Sequence, residues 1–243
     1  QRACAMLLER NKDFEDAFEE YQYLFENYMG QFGFEEVIES QFRLADAVRN
    51  ERHMTLLSFV GLPGFKTPTS ALPFYEKILR NAPRWKRTAE VQFIVGELQE
   101  DDGECELAAK AFDVVRLKYS RDPLAPEAAF RRARCLHHEA RDNTRDETRC
   151  RNALSAYSGF VRDWPAHARV AEAEKSMAAL KDSLMTLYFE RASYYDNIAR
   201  RPQSALIAYT DFITRFPAAK QAALVNDRID TLKAQLDKAK KDE

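Results

Sequence analysis

His137-His138-Glu139 is the one run in this chain that sets metal-ligand residue types side by side. A zinc site needs three or four converging ligands. Neighbouring residues on a helix point about 100° apart, so two successive histidines do not share a face. With four histidines in the whole chain, no second segment supplies the missing ligands. The run reads as helix surface, and an enzyme built on His137 and His138 would have to show stoichiometric zinc. The four cysteines, Cys4, Cys105, Cys135 and Cys150, have no C-x-x-C spacing, which argues against zinc-finger or thioredoxin-like chemistry. Cys135 and Cys150 are a candidate disulfide in an oxidising compartment. In a helix pair turning near residues 142–143 they stand opposite each other, and a bond would further need Cα atoms within about 7 Å. Phosphate-cradling and hydrolase signatures (G-x-x-x-x-G-K-[ST], G-x-G-x-x-G, G-x-S-x-G) are absent. No catalytic residue, cofactor or metal is therefore expected.

The elements that position these residues repeat. A small alanine is followed four residues later by an aromatic, and three further on, in most copies, by a bulky apolar residue. The copies are Ala17-Phe-Glu-Glu-Tyr21, Ala71-Leu-Pro-Phe-Tyr75, Ala108-Ala-Lys-Ala-Phe112, Ala153-Leu-Ser-Ala-Tyr157 and Ala205-Leu-Ile-Ala-Tyr209. Spacings of 4 and 3 place these side chains on one helical face. A proline closes three of the units at Pro83, Pro165 and Pro217, where the helix must stop. This is the layout of the tetratricopeptide repeat, two helices in about 34 residues. The expected fold is all-α, a right-handed superhelix of five helix pairs plus a capping helix, over one repeat domain spanning residues 1–243. The units fall at about 1–29, 34–83, 85–120, 124–165 and 168–217, with the cap at 220–238.

Unit three fits the repeat without a gap, with Gly96 at its eighth position and Ala108 at its twentieth. By the same offset Ala5 takes the eighth position of unit one. That places the start of the first helix before Gln1, so the chain is expected to continue upstream. Unit two carries about fourteen extra residues between its helices, including the apolar run at 53–65, read either as a contact loop or as a flap over its own unit. Unit four carries an insertion in the charged loop Arg141–Arg149.

Only 7 glycines argue against an all-β fold, and 37 basic against 39 acidic side chains (net charge -2) give no reason to expect a nucleic-acid partner. The first helices of the pairs should line a concave groove. Phe42, Phe93 and Phe130 recur three residues before the eighth position of three successive units. They read either as an aromatic ladder for a bound peptide or as packing against the neighbouring helix. Asp46, Arg49, Glu90, Glu97 and Arg134 would form the polar rim. Between Pro165 and Pro202 no glycine or proline interrupts the chain, which predicts one long helix from about Ala168 to Ala199. Leu180, Leu184, Leu187 and Tyr188 are expected to pack inward along it. Leu180, Leu184, Tyr188, Tyr194 and Tyr195 are also candidates for a partner surface, so the two expectations compete for three residues.

The run Arg151–Pro165, the segment Ala171–Leu184, the tyrosines 188, 194 and 195, and Ala205–Pro217 together resemble the BamD family of outer-membrane assembly lipoproteins, as does the order of five repeats with an elongated helix between the fourth and fifth. The sequence departs from that family in the insert at 53–65 and in the turn Ala199-Arg-Arg-Pro-Gln203. The resemblance implies a periplasmic scaffold, lipid-anchored at the inner face of the outer membrane through a cysteine upstream of Gln1 rather than through Cys4. Its partners would be the barrel-forming subunit of the β-barrel assembly machinery and unfolded outer-membrane proteins. Alternatives are another tetratricopeptide envelope adaptor, of the Tol-Pal coordinator type, or a peptide-sensing regulator.

Overall fold

The alanines of the repeat are small because the helices approach most closely where they sit. Ala17, Ala71, Ala108, Ala153 and Ala205 are fully buried, and the aromatics four residues on, Tyr21, Tyr75, Phe112, Tyr157 and Tyr209, are at most 5% exposed. A computed structural model describes residues 2–50, 68–143 and 145–241 of the chain. The apolar run at 53–65 lies outside the described residues.

All described secondary structure is helical: α1 (Arg2–Asn11), α2 (Phe14–Asn27), α3 (Phe34–Asn50), α4 (Leu72–Asn81), α5 (Thr88–Asp101), α6 (Cys105–Lys118), α7 (Ala125–Asp142), α8 (Glu147–Asp163), α9 (Val170–Ser193), α10 (Pro202–Arg215) and α11 (Ala222–Lys241). Apart from the stretch between α3 and α4, most of which lies outside the described residues, short connections join successive helices into pairs of the tetratricopeptide type. Two compact units result, Gln1–Cys135 and Leu136–Glu243, with α7 beginning in the first and ending in the second. No described helix is long and apolar enough to cross a membrane.

Prolines end the helices as the sequence predicts. A proline disfavours the helical conformation of the residue before it, and Ala82, Trp164 and Phe216 share nearly one geometry, with φ of -135°, -134° and -129°. Each nonetheless donates its N–H back to the carbonyl four residues earlier. Asp146 starts α8 as an N-cap, its carboxylate accepting from the amides of Thr148 (2.9 Å) and Arg149 (3.2 Å).

In the first unit one buried cluster runs from Ala5 to Ala111. Gly96 of α5 lies against the Phe112 ring of α6, and a Cβ there would be 2.7 Å from Cε1 of that ring. In the second unit Tyr188, Ala192, Tyr209, Phe212, Val225, Ile229 and Leu232 join α9, α10 and α11 in a second core. The long helix departs from the expected run to Ala199. Its α geometry stops at Ser193, a π turn follows over Tyr194–Ile198, and Arg200 takes a left-handed φ of 49°. Asp196, in that turn, is held by Arg228 of α11 and by the Tyr209 hydroxyl of α10. Side chains of α10 and α11 thus converge on the segment that departs from α geometry.

Candidate functional site

The aromatic ladder proposed for a groove is core in the structure. Phe42, Phe93 and Phe130 are 2%, 7% and 0% exposed. Phe42 packs edge-on to Tyr75 and Trp85, with the Arg87 guanidinium 3.7 Å above its ring. Phe93 meets Phe112 at 5.3 Å, with Arg131 over both rings. No face of these rings is left for a peptide, because burying aromatic surface between helices is their larger contribution.

The polar rim residues are taken up within the unit: Arg49 and Glu97 pair with each other, and Asp46, Glu90 and Arg134 pair with residues outside the predicted rim. Arg49 of α3 pairs with Glu97 of α5 at 3.0 Å, Glu97 with Arg131 of α7 at 3.0 Å, Arg131 with Glu100 at 3.4 Å and Arg134 with Glu100 at 2.6 Å. Asp46 accepts the Tyr75 hydroxyl, and burial together with that carboxylate pushes the Tyr75 pKa up. Glu90 is taken by Arg87 at 2.7 Å. The first unit therefore spends these charges on holding α3, α5 and α7 together.

The second unit differs. Between α7 and α9, over the buried Cys150 of α8, lies a groove of about 590 Å³. Its floor is apolar, with Ala140, Cys150, Leu180 and Leu187. Arg141 and Arg145 line it from α7 and the turn that follows; Asp182 and Glu190 line it from α9. All four charged side chains are exposed. None of them has an ion pair or hydrogen bond to a described residue, in contrast to the chain of pairs in the first unit. The volume lies within the range of about 300–1,000 Å³ typical of ligand pockets. Arg141 and Arg145 fall in the segment that the sequence marks only as a charged insertion. Asp182 and Glu190 are ordinary acidic residues of a long helix, so no pattern singles them out until the helices are paired.

His137 also lines the groove, edge-on to Tyr157 at 5.9 Å. Burial, then the charges of Arg141 and His138, hold its pKa below the ordinary value, so it is neutral at pH 7. His138 points elsewhere, toward Asp142 at 3.3 Å. Among the described residues no group of three or more His, Cys, Asp or Glu could hold a metal ion.

The candidate pair Cys135 and Cys150 is not bonded; both are buried free thiols. The reason lies in where each points. Burial and then the Glu100 carboxylate push the Cys135 thiol up, so it faces α5, while Cys150 lies in the groove floor with Asp146 as its charged neighbour.

The candidate partner surface on α9 also needs correction. Leu180, Leu184 and Tyr188 are 2%, 5% and 3% exposed and pack inward, Tyr195 is half-buried, and Tyr194 alone is exposed. Tyr188 sits in an arginine cage: Arg191 and Arg215 lie 4.9 and 5.1 Å from its ring centre. Its hydroxyl donates to Glu147 and accepts from Arg151 at 2.7 Å. Burial raises the Glu147 pKa, but hydrogen bonds from Tyr188, Arg191 and Arg151 outweigh it and hold the carboxyl at about 2. This cluster ties α8, α9 and α10 together and leaves no open face.

No protein-family model matches the chain, and no curated protein matches it. Among solved structures, the C-terminal part of a TPR repeat-containing protein from Cytophaga hutchinsonii is similar, at 17% identity over 93% of this chain and 99% of that one, with a TM-score of 0.31.

Proposed function

We propose that the chain is a non-enzymatic scaffold that holds a protein partner through the groove between α7 and α9. The observation that carries this reading is the contrast in charge use. Glu97, Arg131 and Glu100 are consumed by neighbours, whereas Arg141, Arg145, Asp182 and Glu190 surround an apolar floor without partners among the described residues. Unpaired charge beside apolar surface is how a protein interface is organised, with an apolar centre and a polar rim. Tetratricopeptide-type helix pairs leave such surfaces between their helices.

In this reading the scaffold works in the periplasm on β-barrel assembly, anchored to the inner face of the outer membrane by a lipid upstream of Gln1. What supports it is the sequence layout of Arg151–Pro217 and the long helix α9 between the fourth and fifth pairs. The test is co-expression with the barrel-forming assembly subunit of the same organism, followed by purification on a tag carried by this chain. Recovery of the two together, reduced several-fold by Arg141→Glu with Arg145→Glu, is expected. Absence of the subunit from the purified material, with the chain folded, would rule out this partner.

A further inference from the structure

The two walls of the groove carry opposite charge. We infer that its occupant is an amphipathic peptide segment of bipolar charge, with an apolar stripe on the floor, acidic residues toward Arg141 and Arg145, and basic residues toward Asp182 and Glu190. This deepens the reading of the groove given above and rests on it.

The α9 wall is regular. Asp182, Thr186 and Glu190 follow at intervals of four, so they form one stripe along the helix, with the carboxylates about 12 Å apart at 1.5 Å per residue. Ser183 and Thr186 bond back to the carbonyls of Ala179 and Asp182 at 3.0 Å each, so their hydroxyl hydrogens are engaged and their oxygens can only accept. That wall offers acceptors and negative charge, which suits lysine or arginine side chains spaced two helical turns apart. The opposite wall offers the donors of two guanidinium groups and carries no carboxylate of its own among the lining residues. The neutral His137 beside Arg141 adds a polar ring without competing charge. Leu187, half-buried, offers the apolar surface between the walls; Ala140, Cys150 and Leu180, at most 3% exposed, close the floor beneath it. An all-acidic segment would set its charges against Asp182 and Glu190, and an all-basic one against Arg141 and Arg145; each loses one wall, and like-charge juxtaposition suppresses the wrong partner.

The experiment uses the whole chain and four fluorescent 16-residue helix-forming peptides with the same leucine stripe. Their flanks are glutamate and lysine, both glutamate, both lysine, or both glutamine. Fluorescence anisotropy should show the glutamate–lysine peptide binding about tenfold or more tighter than the other three. Arg141→Glu with Arg145→Glu should transfer the preference to the lysine-flanked peptide. Asp182→Lys with Glu190→Lys should transfer it to the glutamate-flanked one. A gained preference cannot arise from a misfolded variant, so folding failure is separated from failure of the idea. Equal binding of all four peptides, or binding of none, overturns the bipolar occupant. If the barrel-forming subunit still co-purifies in that case, the scaffold reading stands without it.

Discussion

Arg228 of α11 grips Asp196 of the π turn with two hydrogen bonds of 2.7 Å, Nε to Oδ2 and Nη2 to Oδ1. Asp196 is 6% exposed at its side chain, and the guanidinium holds its carboxyl below the usual carboxylate range. The pair fixes the last helix against the only described segment of π geometry in the chain. Removing the cation leaves a buried, uncompensated carboxylate, which costs more than the pair itself contributes. Arg228→Met should destabilise the second unit by about 2–4 kcal/mol, and adding Asp196→Asn should recover part of that loss. Urea unfolding followed by circular dichroism measures both, and hydrogen exchange should show α11 opening first in the single variant.

Gly96 is small because Phe112 occupies the space a side chain would need. Gly96→Ala places a Cβ 2.7 Å from the ring edge. Its helix propensity gain of about 1 kcal/mol should be outweighed by overpacking of about 1–3 kcal/mol, so the net effect is a loss. Combining it with Phe112→Leu should remove the clash, which a double-mutant cycle on melting temperature resolves.

Phe42 serves as a direct check on the core assignment of the aromatic ladder. Phe42→Ala should cost about 3–5 kcal/mol in the first unit and leave binding at the α7–α9 groove unchanged at a temperature where the variant is folded. A folded, fully stable Phe42→Ala protein would contradict its burial between Tyr75 and Trp85.

Glu147 predicts the acid response. Its folded pKa of about 2 lies below the ordinary value of 4.5. The sign follows: the contribution is complete above about pH 4.5 and is lost as pH falls from there through 2. Between pH 5 and pH 2.5 the wild type should lose on the order of 1–2 kcal/mol more than Glu147→Gln, after allowance for screening of a partly exposed group. Equal slopes in denaturant titrations across that range would show that the Tyr188 cage does not hold the carboxylate.

The alanine–aromatic spacing made the helix pairs legible, because burial of Ala108 against a neighbour and of Phe112 four residues on is a local, periodic requirement. Pro83, Pro165 and Pro217 marked helix ends for an equally local reason. The π turn at Tyr194–Ile198 was not legible, and the contact that engages it, Arg228 with Asp196, spans more than thirty residues. The site was legible only in part. Periodicity places Phe42 and Arg49, seven residues apart, on one face of α3 but does not say that Arg49 will meet Glu97. Nor does it show that Arg141 and Glu190, far apart in sequence, end on facing walls without partners among the described residues. A groove is identified by the charges its neighbours fail to neutralise, and that is a property of the packed helices.

Site-specific photo-crosslinking from the groove tests the scaffold reading most directly. A photoreactive phenylalanine analogue placed at Thr186 in the native cell reports what lies between α7 and α9, and the same residue at Asp101, at the exposed end of α5, serves as control. A discrete protein adduct at 186, absent at 101 and lost on Arg141→Glu with Arg145→Glu, is the predicted result. No adduct at 186, or the same adducts at both positions regardless of the arginines, would contradict a partner held in this groove.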